Sequence, residues 1–186
     1  MIDKNIGESL RKVSVRKILF LDIDGVLNTP DDWASLRYIN DVCDPDTTNV
    51  INRTKLGLLK MLLDNHDDVE IVISSTWKFL PDGVDRFIET CSDLGFPEIE
   101  DKITGKTPNG DERKDEISDW LQENVEGECI YFILDDMYPK HFQEHEDSGE
   151  HRRVIHVDGR IGLRVFDIDL ISGIIESEVK KRGERK

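Results

Sequence analysis

Short runs of consecutive apolar residues alternate along the chain with longer segments in which apolar side chains recur at helical spacing. Lys17–Leu21 (KILFL), Val69–Ser74 (VEIVIS) and Cys129–Leu134 (CIYFIL) are continuous apolar runs, the pattern of strands buried on both faces. Ile99–Ile103 and Arg153–Val157 are shorter candidates of the same kind. Between them, Arg53–His66 places Leu56, Leu59 and Leu63 on one helical face, and Pro81–Leu94 does the same with Val84, Phe87, Ile88 and Cys91 before Gly95 stops it. Asp111–Asn124 forms a helix around Ile117, Trp120 and Leu121, and Asp167–Val179 closes the chain through Ile168, Ile171, Ile174 and Ile175. Strands alternating with helices predict βαβ units, right-handed crossovers and an α/β fold with a central parallel sheet. There is no internal repeat and no low-complexity segment.

Size and charge narrow the field. The 186 residues suit one domain and can bury a core without disulfides or structural metal. Acidic residues outnumber basic ones 40 to 25, for a net charge of −15, which excludes a chain-wide basic footprint for nonspecific nucleic-acid binding or for an anionic membrane. The longest apolar runs are about six residues, against the roughly 20 needed to span a bilayer. Cys43, Cys91 and Cys129 are isolated, make no CxxC pair and suit a reducing, cytoplasmic setting. Residues 1–17 carry scattered charge and do not read as a secretory signal.

The chemistry gathers where the strands end. In open parallel sheets ligands bind beyond the carboxyl ends of the strands. The three strong strands are followed there by Asp22, Ser74 and Asp135. In the segment Leu21-Asp22-Ile23-Asp24-Gly25, positions i and i+2 of an extended chain face one way, so Asp22 and Asp24 share a space while Ile23 turns to the core. Gly25 lets the chain leave sharply. Two carboxylates 4 Å apart repel by roughly 4 kcal/mol at an effective dielectric of 20, which favours a bound cation or a raised pKa. A second acidic pair, Asp135-Asp136, makes a hard cation such as Mg2+ the expected ligand of an all-oxygen set. Ser74, Ser75 and Thr76 offer hydroxyls and backbone N–H groups for anionic oxygens or for a helix cap, and Arg113-Lys114 offers a cation for a phosphate although, taken alone, the pair fits a solvated surface better.

Taken in order, these four elements resemble the haloacid dehalogenase (HAD) superfamily. Its D-x-D-G motif is matched by Asp22-Ile23-Asp24-Gly25, its Ser/Thr by Ser74, its Lys/Arg by Lys114 with Arg113 as rival, and its late acidic pair by Asp135-Asp136. The wording DGVLN, ISSTW and ERKDEI with the late Gly162-Leu163 is similar to the HAD-type domains associated with RNA-repair proteins, apart from Val26 and Lys78, where Thr and Arg are expected. The resemblance implies a Rossmann-like three-layer fold with a core over about residues 17–179 and a short cap-like insert at 28–52 in place of a large cap. It implies a Mg2+-dependent phosphomonoesterase acting through an aspartyl-phosphate. Asp22 would be the nucleophile and Asp24 the general acid and base. Asp22, Asp24 (by its backbone carbonyl), Asp135 and Asp136 would form the metal set. Ser74, Ser75 and Thr76 would hold phosphoryl oxygens, and Lys114 or Arg113 would offset charge. An open site admits a nucleotide, a nucleic-acid end or a phosphoprotein, and Trp33 or Trp77 is placed either to stack on a base or to pack.

Other readings remain on the same residues. A phosphotransferase shares the fold, and a receiver-like signalling domain shares the carboxylates, although its acidic pair precedes the phosphoacceptor. An inactive binding module is disfavoured because all four motif positions carry competent residues. His141, His145 and His151 with Glu144 have partial zinc spacing but no fourth anchor, and fit a polar loop better. The basic tail Lys180–Lys186 is expected to close a helix.

Overall fold

The computed structural model describes residues 15–42, 50–137, 140–142 and 153–184. Five strands, β1 (Arg16–Leu21), β2 (Val69–Ile73), β3 (Ile103–Lys106), β4 (Cys129–Asp135) and β5 (Val154–His156), form one sheet in the order β3-β2-β1-β4-β5. Every pairing is parallel. The strand that carries Asp22 lies at the centre, with Leu21 level with Ile73 on one side and Leu134 on the other. The three site-bearing strand ends are therefore adjacent and in register.

Alternation along the strands sorts the core into two layers. Leu19, Leu21, Ile71, Ile73, Phe132 and Leu134 face helices α2 (Arg53–Asn65), α3 (Gly83–Asp93) and α5 (Val165–Glu184), through Leu56, Leu59, Leu62, Phe87, Cys91, Ile168 and Ile171. Ile18, Phe20, Val72 and Ile133 face α4 (Arg113–Asn124) through Ile117 and Trp120. Phe20 meets the Trp120 ring edge-on at 5.5 Å. Burial pushes the Cys91 thiol up to about 12, which makes it a core side chain and not a nucleophile.

Local signals explain the boundaries. Asn52 caps α2 by accepting from the N–H groups of Thr54 and Lys55 at 3.0 and 3.3 Å. α3 ends where Gly95 adopts φ +91°. α5 runs on through the basic residues Lys181 and Arg182 in its last turn. One expectation needs correction. Ile99–Ile103 is not a strand: Pro97–Lys102 is a 3-10 turn that buries Ile99, and β3 starts only at Ile103. Pro97 opens the turn, and the short edge strand, with Thr104 and Lys106 exposed, leaves little apolar signal. The insert at 28–52 also contains a helix, α1 (Pro30–Val42), which polar, solvent-facing positions hid from the periodicity. No helix among the described residues is long and apolar enough to cross a membrane.

Candidate active site

The sheet extends its hydrogen bonding one residue past the strand ends, which fixes the backbone of the site. The Asp22 N–H donates to the Leu134 carbonyl at 3.0 Å, and the Ser74 N–H to the Leu21 carbonyl at 2.8 Å. Beyond Asp24 the chain turns at Gly25, φ +77°, and folds back on itself through Val26 and Leu27 N–H bonds to the Ile23 carbonyl.

Asp22, Asp135 and Asp136 each offer an oxygen within 4.8 Å of the others. Asp22 is buried, and its Oδ1 accepts from the Ile23 N–H at 2.9 Å. Asp135 is also buried, and its Oδ1 accepts from the Met137 N–H at 2.8 Å. Asp136 lies in a slot made by two glycines: a Cβ on Gly25 or on Gly159 would come within 2.3 Å of its Oδ2. Burial first, then the charge of Asp135, raises Asp22 to about 7, against the opposing effects of Arg113, the Ser75 hydroxyl and the Ile23 N–H. Asp136 is raised for the same two leading reasons.

Arg113, the first residue of α4, is the cation that the fold brings to this cluster. Its Nη1 lies 2.6 Å from Asp135 and 3.0 Å from Asp22, with the side chain 13% exposed. The two carboxylates hold the guanidinium above its ordinary range despite burial. Lys114 is placed differently: its ammonium stands 3.5 Å from Glu112, and it is Arg113 that lines the cleft. Consecutive helical residues differ by about 100° around the axis, so one of an adjacent basic pair is turned away from a shared target.

Asp24 is held by two donors. Asn28 Nδ2 donates to its Oδ1 at 2.8 Å, and the Trp77 indole N–H donates to its Oδ2 at 3.1 Å. Asn28 Oδ1 in turn accepts from the Gly25 N–H at 3.1 Å. Trp77 also packs edge-on to Phe87 at 6.4 Å, so this ring packs and orients rather than standing free to stack. Ser74 is buried with its hydroxyl unpartnered, Ser75 is buried beside Asp22, and Thr76 lines the cleft. The cleft, about 370 Å³, is bounded by α1 through Thr29, Pro30 and Trp33, the last 43% exposed. α1 is tied down by Asp32, which accepts from Thr29, Asn52 and Lys55, each at 2.8 Å.

Asn28, Gly159 and Met137 carry no role in the motif reading. Asn28 stands at the end of the D-x-D-G-V-L-N wording and is legible there; Gly159 comes from a distant loop and has no local signal. His141 is exposed, whereas Glu144, His145 and His151 lie outside the described residues.

The family model of the HAD domain in Swiss Army Knife RNA repair proteins matches residues 18–168, which runs from β1 into α5 and includes every site residue above. The chain belongs to this HAD family. No curated protein and no solved structure matches it. Membership gives the parallel, Rossmann-like sheet its class and implies phosphatase-type hydrolase chemistry on a phosphate ester. HAD domains generally use Mg2+, and the acidic group of this HAD domain has the composition such an ion requires.

Proposed function

We propose that this HAD domain is a Mg2+-dependent phosphomonoesterase that works through a phosphorylated Asp22. The observation that carries the reading is the convergence of the buried Asp22 and Asp135 and the half-buried Asp136 within 4.8 Å, with Arg113 bridging the two buried ones. Asp22, Asp135, Asp136 and the Asp24 backbone carbonyl would hold the ion. The donors are all oxygen, and a raised Asp22 and an unpartnered Ser74 hydroxyl are what an incomplete cation and phosphate site presents. When bound, the ion offsets the charge of carboxylates and phosphate and polarises a phosphoryl oxygen.

Asp22 Oδ attacks phosphorus and the ester oxygen leaves, taking a proton from Asp24. Asp24 then accepts a proton from the water that attacks the aspartyl-phosphate and releases inorganic phosphate. Asn28 and Trp77 keep the Asp24 carboxyl in place for both steps. Arg113, not Lys114, neutralises the transferring group, and Ser74 with the turn at Ser75 and Thr76 receives its oxygens. The cleft is open, with α1 as its helical wall, so a bulky ester fits. The family's link to RNA repair favours a nucleotide or nucleic-acid terminal phosphate, with Trp33 at the rim. The net charge of −15 argues for recognition at the cleft rather than through a basic surface.

The test is a phosphate-release screen with Mg2+ over nucleotides, oligonucleotide ends, sugar phosphates and phosphopeptides, with Asp22→Asn as control. Release on the nucleotide or oligonucleotide arm, absent in the control, is expected. Activity confined to phosphopeptides would move the substrate assignment, and activity surviving in the control would remove Asp22 as nucleophile.

Two smaller effects follow from the supports of the carboxylates. Gly159→Ala drives a Cβ into the Asp136 carboxylate, so Mg2+ affinity measured by calorimetry should fall by about 10–100-fold. Asn28→Ala removes one of the two anchors of Asp24, and kcat should fall by about 10-fold or more with KM little changed.

A further inference from the structure

Arg113 must stand at one point to bridge Asp22 and Asp135, yet its helix end has no side-chain cap. α4 begins at Arg113, and the preceding Glu112 makes no side-chain capping hydrogen bond. Three residues on, Glu116 is buried against the loop that follows β3. Its Oε1 accepts from the Gly110 N–H at 3.0 Å, and a Cβ on Gly110 would come within 3.0 Å of its Cγ, so that loop closes directly on it. Its Oε2 lies 2.6 Å from the Lys78 ammonium.

Lys78 comes from a different side of the site, the 3-10 turn Thr76–Phe79 that follows Ser74 and Ser75. Besides Glu116, its ammonium donates to the Thr107 hydroxyl at 2.8 Å and to the Pro108 carbonyl at 2.7 Å. Three donors meet three acceptors, which completes the group. The side chains of the pair are 2% and 7% exposed. One ammonium thus joins the turn after β2, the loop after β3 and the first turn of α4. Burying such a pair costs desolvation energy that its attraction and hydrogen bonds offset, so its net contribution to stability is small. Its geometric consequence is that the segment carrying Ser74 and the helix end carrying Arg113 are fastened to each other.

We infer that Lys78 and Glu116 are positioning residues, a buried latch that sets the distance between the Arg113 guanidinium and the carboxylates of Asp22 and Asp135. The inference rests on Arg113 acting on the phosphoryl group as proposed above. Neither latch side chain touches the reacting atoms; both act through Arg113.

The test is a mutant cycle. Lys78→Met with Glu116→Met removes both charges at similar volume, and Glu116→Gln removes one charge at the same shape, as the variant to use if the pair replacement does not fold. On para-nitrophenyl phosphate with Mg2+, either should lower kcat by about 10–100-fold with KM within about threefold. In an Arg113→Met background the same changes should alter kcat by less than about threefold, because the cation they position is already gone. Undiminished kcat in the latch variants, or an equal loss in both backgrounds, overturns the latch. If the wild-type protein releases no phosphate from any ester, the functional reading fails separately. Calorimetric binding of inorganic phosphate with Mg2+ then decides the latch: weakening by about 10-fold in the latch variants sustains it, and equal affinity overturns it.

Discussion

Asp22→Asn is expected to lower kcat by about 10⁴-fold or more and, in the same protein without metal, to raise the melting temperature near pH 8. The two effects have one cause. Asp22, the proposed nucleophile, is buried beside Asp135, and that burial lifts its pKa to about 7. An aspartate in the unfolded chain titrates near 4. Because the folded pKa is the higher one, the contribution of Asp22 to stability is fully present below the unfolded value and is lost as pH rises through about 7. Asn carries no charge at any pH and escapes that loss. Its advantage should grow from about pH 4 to pH 7 and level off above, reaching about 1–3 kcal/mol, or roughly 3–8 °C for a chain of this size. Saturating Mg2+ should shrink the gap, since the ion binds the ionised carboxylate. Scanning calorimetry across pH reads this directly; a melting temperature lowered by Asp22→Asn at pH 8 would contradict the electrostatic picture.

Arg113→Met should strongly destabilise the metal-free fold. Arg113 contacts both buried carboxylates, and removing one partner of a buried ion pair leaves charge uncompensated, at about 3–5 kcal/mol. Arg113 also acts to lower Asp22 and Asp136, so its loss raises both further. By the same sign argument the penalty is greatest at alkaline pH and shrinks on acidification. Under the proposed mechanism activity should fall by about 10²–10³-fold even at saturating Mg2+, because the donor proposed for the transferring group is gone. Lys114→Met, next to it, should change stability by no more than about 0.5 kcal/mol and activity little. Urea melts at pH 5.5 and 8.5 with paired rate measurements separate the two residues; equal effects would reassign the cation.

The parts of this protein legible in the chain are those where one physical demand dominates. Buried parallel strands need apolar runs, and β1, β2 and β4 announce themselves that way. Asp22 and Asp24 are legible because their two-residue spacing is forced by an extended chain around a buried Ile23. The edge strand β3 and the solvent-facing α1 have no such demand, so the apolar pattern placed the strand several residues too early and gave no helix in the insert, although Thr29-Pro30-Asp31-Asp32 is a recognisable helix start. Arg113 could not be told from Lys114 because the difference is an angle around a helix whose position is set by tertiary contacts. Lys78 and Glu116 are 38 positions apart and look like ordinary surface charges until the fold buries them together. The role of Trp77 as a donor to Asp24 was equally hidden, since an indole reads as core or platform and its single N–H says nothing of its partner.

The central claim is that the carboxylate at the end of the central strand receives the phosphoryl group. It is tested most directly by incubating Asp24→Asn protein with Mg2+ and a hydrolysable phosphate ester, quenching in acid, and mapping the modified peptide by mass spectrometry. In the proposed mechanism the substitution slows release of the aspartyl-phosphate, so a phosphoryl mass increment on Asp22 is expected, absent when Mg2+ is withheld. Product formed with Asp22 unmodified, or the increment found on any other residue, would contradict it.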